Sequence, residues 1–214
     1  MKFIKVCGLA VFAAMALTAW LGVGSASAAT MCKVNQTPCP EASRWPSGTK
    51  FVAESTEVVI GGSLSVQCKV KVEFTLDATS GNPLTATANA ILWISCKGGC
   101  VKVETTKLPA WRIAAAIAGG GRGIFTLLAM NVKLGSCLGF FTCTMSVAEG
   151  KQEFTGGSGG SAAFTQNNIP VTFSGFGCGT EGVMNAGGGS GGTPFIMTTA
   201  NGSSSFSVFV SQEP

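Results

Sequence analysis

Between Ser65 and Asp77 apolar and polar residues alternate without a fault. Val66, Cys68, Val70, Val72, Phe74 and Leu76 share one parity, and Gln67, Lys69, Lys71, Glu73 and Thr75 the other. Successive side chains of a strand leave opposite faces, so strict period two predicts a strand with one dry and one wet face, the kind found in antiparallel sheets. Shorter alternations recur. Phe141, Cys143, Met145 and Val147 form one, and Val101, Val103 and Thr105 another. Ile124, Thr126, Leu128, Met130, Val132 and Leu134 share a parity. Near the C-terminus Phe195 to Ala200 and Phe206 to Val210 flank Asn201-Gly202, a dipeptide that cues a hairpin.

Turn signals punctuate these runs at Gly61-Gly62, Ser80-Gly81-Asn82-Pro83, Gly98-Gly99, Gly119 to Gly121 and Asn167-Asn168. Ile113 to Ala118 is rich in alanine, but it lacks an N-cap and runs into glycines. A strand that hairpins through Gly119–Gly123 is therefore expected over a helix. Many short strands at this turn density read as a sandwich or a barrel. The expectation is an all-β fold, an antiparallel β-sandwich of immunoglobulin-like or jelly-roll-like type. The Gly/Ser-rich segments Gly156 to Gly160 and Gly187 to Gly192 are short and flanked by strand-like sequence, so they read as loops of one domain rather than linkers.

The N-terminus breaks this pattern. Lys2 and Lys5 precede an apolar stretch from Val6 to Val23, and Ala26-Ser27-Ala28 fits the small-residue rule for signal-peptidase cleavage. Residues 1–28 are thus expected to be a Sec-type signal peptide, with 29–214 a single secreted domain. Trp111 to Val132 is apolar but carries Arg112, Arg122 and a glycine break, so no stable membrane insertion is expected after cleavage.

Cleavage removes Cys7 and leaves eight cysteines: Cys32, Cys39, Cys68, Cys96, Cys100, Cys137, Cys143 and Cys178. An even number in an exported chain predicts four disulfides. Spacing suggests the local pairs Cys32–Cys39, Cys96–Cys100 and Cys137–Cys143, with Cys68–Cys178 as a long-range tie. A zinc site built from Cys96, Cys100, Cys137 and Cys143 is the rival reading. It is disfavoured by an oxidising destination and by a chain with no histidine.

Composition narrows the chemistry. Once Lys2 and Lys5 leave, twelve basic residues face ten acidic ones, a net charge of +2, too balanced to suggest nucleic acid or an anionic membrane as partner. Without histidine, Ser-His-Asp and Cys-His catalysis are excluded. The only aspartate is Asp77. A glycosidase needs two convergent carboxylates, and Glu54 with Glu57 or Glu149 with Glu153 are the candidate pairs. Gly119-Gly120-Gly121-Arg122-Gly123 lacks P-loop spacing and reads as a hairpin tip. No cofactor or metal is expected. Trp45, between turn residues in Arg44-Trp45-Pro46, is the candidate ligand contact, set against the commoner role of tryptophan in a core. Asn35-Gln36-Thr37 and Asn201-Gly202-Ser203 match the glycosylation sequon.

Three stretches occur in a suggestive order. Cys32-Lys33-Val34-Asn35-Gln36-Thr37-Pro38-Cys39 comes first, with Arg44-Trp45-Pro46 after it. Leu64-Ser65-Val66-Gln67-Cys68 follows, with Gly81-Asn82-Pro83-Leu84-Thr85. Cys96-Lys97-Gly98-Gly99-Cys100 comes last, before Leu108-Pro109. From Cys32 to Trp111 the chain resembles a group of secreted, uncharacterised, β-rich proteins of actinobacteria that open on C-x-V-N-x-x-P-C. The resemblance implies export, disulfides, a β-fold and a bacterial source, and carries no functional residues across. The functional expectation is a non-enzymatic secreted or cell-surface protein with a binding or structural role, its partner unknown and a cell-surface or glycan ligand conceivable. The alternatives are a carboxylate-dependent extracellular polysaccharide hydrolase and a structural subunit of a surface assembly.

Overall fold

The period-two patterns become long antiparallel strands that close on themselves. The computed structural model describes residues 27–116, 119–187, 191–199 and 206–213. Residues 1–26 of the expected signal peptide, with Cys7 and Ala26, and Asn201-Gly202 lie outside them; Ala28 lies inside, just before the first strand. Among the described residues there is no α-helix, only one 3-10 turn at Glu41–Ser43.

In chain order the strands are β1 (Ala29–Cys32), β2 (Lys50–Gly61), β3 (Val66–Leu76), β4 (Ser80–Gly81), β5 (Leu84–Gly98), β6 (Lys102–Lys107) and β7 (Ala110–Ala115). They continue with β8 (Gly123–Cys137), β9 (Phe141–Thr155), β10 (Gly157–Ser158), β11 (Ala163–Ser174), β12 (Glu181–Ala186), β13 (Phe195–Thr199) and β14 (Ser207–Gln212).

The ladder runs β2–β3–β5–β7–β8–β9–β11 and returns to β2 through β12 and β13. This is a closed barrel of eight strand positions, each antiparallel to the next in sequence, an up-and-down arrangement. The expected sandwich is thus corrected to a barrel: β2 has a partner on both edges, so the sheet returns on itself instead of dividing into two layers. The hairpin expected at Asn201-Gly202 is also corrected. Its flanking strands do not pair, because β13 completes the barrel while β14 joins β1. The hairpin expected after Ile113 does form, as β7 against β8, with the Ala116 N–H bonded to the Arg122 carbonyl.

Two strand positions are each filled by two strands end to end. β6 and β7 are separated by Leu108-Pro109, where proline has no N–H to offer a ladder. β12 and β13 are separated by 187–194. At about the same level the other strands place two consecutive residues outward: Thr56-Glu57 on β2, Asn89-Ala90 on β5, Leu128-Ala129 on β8, Ala148-Glu149 on β9 and Asn167-Asn168 on β11. Register shifts on β2, β5 and β11, with positive φ at Ala129 and Asn168, mark this belt. Only β3 crosses it with unbroken alternation. Along β8 the belt reverses parity. The buried residues are Phe125 and Leu127 below it and Met130, Val132 and Leu134 above, so the single even-numbered face expected from Ile124 to Leu134 holds only in the upper half.

Below the belt the interior is aromatic. Phe164 touches Phe74, Phe125, Phe154 and Phe195, with ring centroids 5.1–6.4 Å apart. Trp111 adds its indole against Phe74 at 5.6 Å. Above the belt the filling is mainly aliphatic and methionine, including Ile60, Val66, Leu134 and Met145, with Phe173 among them. The interior is packed with side chains, as the small radius of an eight-stranded barrel allows.

The two ends are finished differently. At the lower end the connections pair among themselves as a small sheet, β10–β14–β1–β4, which buries Met31, Phe206, Val208 and Val210 in the same core as the barrel. Arg44 and Glu213 clip this plug with a 2.7 Å ion pair. At the upper end the connections form no sheet and are held by disulfides instead.

Candidate functional site

Four connections make the upper end: 62–65, 99–101, 138–140 and 175–180. Three disulfides brace this end of the barrel. Cys68–Cys96 joins β3 to β5, Cys100–Cys137 joins the β5–β6 turn to the end of β8, and Cys143–Cys178 joins β9 to the β11–β12 turn. The fourth, Cys32–Cys39, closes a seven-residue clip at the plug, as the spacing suggests. The expected pairs Cys96–Cys100, Cys137–Cys143 and Cys68–Cys178 are corrected. The reason is register. Gln67 faces Lys97 and Lys69 faces Ile94, which sets Cys68 opposite the bulge that holds Cys96. Cys96 therefore has a cross-strand partner nearer than the cysteine four residues on. Each of the four cysteines proposed as zinc ligands is committed to a disulfide, and no group of histidine, cysteine or carboxylate able to hold a metal occurs among the described residues.

These staples hold large apolar side chains in the open. Phe176 is 84% exposed, Phe140 77%, Leu138 62% and Val101 55%. The turns that bear them are neighbours. Phe140 meets Phe141 at a tilt of 55° with centroids 4.1 Å apart, and Phe141 meets Phe176 at 5.5 Å. The Leu138 N–H bonds the Gly99 carbonyl at 2.8 Å, joining the β8–β9 turn to the turn that carries Val101. Scattered exposed apolar residues are ordinary, whereas a contiguous patch marks an interaction surface. Ser136 and Leu138 hold φ of 53° and 47°, a left-handed conformation that L residues adopt at some cost. A disulfide at Cys137, between them, keeps that turn in place.

Beside the patch lies a cleft of about 540 Å³ lined by Val101, Lys102, Lys133, Ser136 and Thr142, with Glu104 among them. Above the belt β5 and β6 share no ladder. The indole N–H of Trp93 bridges them by donating to the Thr105 hydroxyl at 2.9 Å.

The candidates read from sequence fall elsewhere. Trp45 sits at the plug, packed on Phe51 and Phe206, its Nε1–H donating to the Ser207 carbonyl and Lys33 lying 5.0 Å from its ring centre. Trp111 is buried and donates to Gln152 Oε1. Glu54 pairs with Lys69. Glu149 and Glu153 are exposed on the outer wall, where Glu149 and Lys151 rim a shallow concavity with Asn167 and Asn168.

Phe140 and Phe176 are not among the candidates that the sequence pattern marks. A usable signal is present: Leu138-Gly139-Phe140 and Gly175-Phe176-Gly177 set an apolar residue against glycine, within three positions of a cysteine. Glycine marks a turn, a turn is at the surface, and a phenylalanine there is out of place. No protein-family model, no curated protein and no solved structure matches the chain.

Proposed function

We propose that this is an exported, non-enzymatic binding protein that works through the stapled end of its barrel. The observation that carries the reading is the group of exposed apolar residues Val101, Leu138, Phe140 and Phe176 on neighbouring turns fixed by disulfides. Three further points support it. A side-chain-filled interior leaves the outer surface for contact with a partner. Four disulfides accord with an oxidising, extracytoplasmic destination, to which the expected signal peptide would deliver the chain. No helix among the described residues is long and apolar enough to cross a membrane. The patch offers carbon rather than hydrogen-bonding groups, which favours an apolar partner over a glycan. No observation favours the polysaccharide hydrolase.

The test is titration of the oxidised protein with the apolar dye anilinonaphthalene sulfonate. The wild type should give saturable fluorescence that the double substitution F140S/F176S abolishes, with melting temperature unchanged. Equal dye binding by both proteins, or none by either, would overturn the reading.

A further inference from the structure

We infer that the stapled end docks onto a lipid bilayer, with Phe140, Phe176, Leu138 and Val101 entering the boundary between headgroups and acyl chains. The inference rests on the binding reading above and names its partner.

Shape is the first argument. The apolar groups sit on the tips of three separate turns, the β5–β6, β8–β9 and β11–β12 connections, at one end of the barrel. A convex set of tips suits a deformable fluid surface, whereas a folded partner would need a matching hollow for each. Rigidity is the second. Turns held by Cys100–Cys137 and Cys143–Cys178 lose little conformational freedom on insertion, so less of the gain from apolar transfer is spent on ordering.

Charge is the third. The chain is balanced overall, but its charges are not evenly placed. From 97 to 102, 135 to 142 and 174 to 181 the only charged residues are Lys97, Lys102 and Glu181. Lys102 and Lys133 line the cleft beside Val101 together with Ser136 and Thr142, and Glu104, the single carboxylate, stands opposite Lys133 in the β6–β8 register. The Lys102 ammonium beside the Val101 tip, with Lys133 and two hydroxyls further into the cleft and one carboxylate against them, leaves a net positive, hydrogen-bonding site that suits the phosphate of an anionic lipid. Apolar insertion combined with attraction to anionic headgroups is the general recipe for reversible binding at a membrane surface.

The experiment is co-sedimentation of the oxidised full-length mature protein with large vesicles. One set is phosphatidylcholine, the other phosphatidylcholine mixed with phosphatidylglycerol. The wild type should partition onto both and more tightly onto the mixed vesicles. F140S/F176S should bind both at least about a hundredfold more weakly, from two lost aromatic insertions. K102Q/K133Q should weaken binding to the mixed vesicles roughly twentyfold and leave phosphatidylcholine binding unchanged. A wild type that stays in solution with both vesicle types yet still binds the dye overturns the bilayer inference and leaves the binding reading standing. Loss of dye binding as well overturns both. Vesicle binding indifferent to F140S/F176S overturns the inference. So does a concentration-dependent dimer that F140S/F176S abolishes, which would make a second copy the occupant.

Discussion

Two glutamines point into the barrel, and the same substitution at each should act in opposite directions. Gln152 on β9 is 2% exposed and its Oε1 accepts the Trp111 indole N–H at 3.0 Å. Gln166 on β11 is 4% exposed, and its Oε1 has no partner. Beside Gln166 is a void of about 30 Å³ walled by Val58, Val70, Trp93 and Met184. A water there would need two or more polar partners. The indole N–H groups of Trp93 and Trp111, which also line it, already donate to Thr105 and Gln152. Methionine is close to glutamine in shape and carries no amide. Gln166→Met removes an unmet acceptor and should stabilise by about 1–2 kcal/mol, a rise in Tm of a few degrees for a chain of this size. Gln152→Met leaves the buried Trp111 N–H orphaned and should cost about 1–3 kcal/mol. The difference between the two variants is then about 2–5 kcal/mol, well outside the error of urea unfolding followed by tryptophan fluorescence. If Gln166→Met destabilises by as much as Gln152→Met, the amide at 166 is satisfied by something bound in the void, and the account of a filled interior is wrong.

Other consequences are open to direct measurement. Removing Cys143–Cys178 as a serine pair frees a 35-residue loop and should cost about 4 kcal/mol, whereas removing Cys32–Cys39, with its seven-residue loop, should cost about 2 kcal/mol. Urea unfolding gives both values, and the reverse order would contradict the loop argument. At Gly182 a Cβ would overlap the Gly61 carbonyl oxygen and crowd the Phe173 ring, so Gly182→Ala should cost at least about 2 kcal/mol in calorimetry. F140S/F176S should leave stability within about 0.5 kcal/mol, because both rings are in solvent. A large loss of Tm in that variant would mean the patch supports the fold rather than a partner.

What the sequence disclosed depended on how locally each feature is written. β3 was legible almost residue by residue because it alone crosses the belt without changing parity. On β8 the same reasoning failed below Ala129, where a positive φ turns the strand over and Phe125 takes the place that alternation assigned to Ile124. Closure was invisible for a different reason. Whether β2 finds β12 and β13 depends on the summed twist and register of all the strands between, which no single window records. Disulfide number followed from export and parity, but partners followed from cross-strand register, and that is a tertiary quantity. Trp45 stood out as an aromatic among turn residues, yet it serves the plug. The exposed phenylalanines were hidden by the habit of assigning aromatics to the core.

Cys100–Cys137 and Cys143–Cys178 hold the apolar turns at one end of a closed barrel, and Cys68–Cys96 ties β3 to β5 beside them. The most direct test is peptide mapping of the unreduced protein by mass spectrometry. Cross-linked peptides are expected for Cys68–Cys96, Cys100–Cys137 and Cys143–Cys178. Finding Cys96–Cys100 and Cys137–Cys143 instead would unhook the turns bearing Leu138, Phe140 and Phe176 from their frame, and would contradict both the register of the barrel and the surface proposed to act.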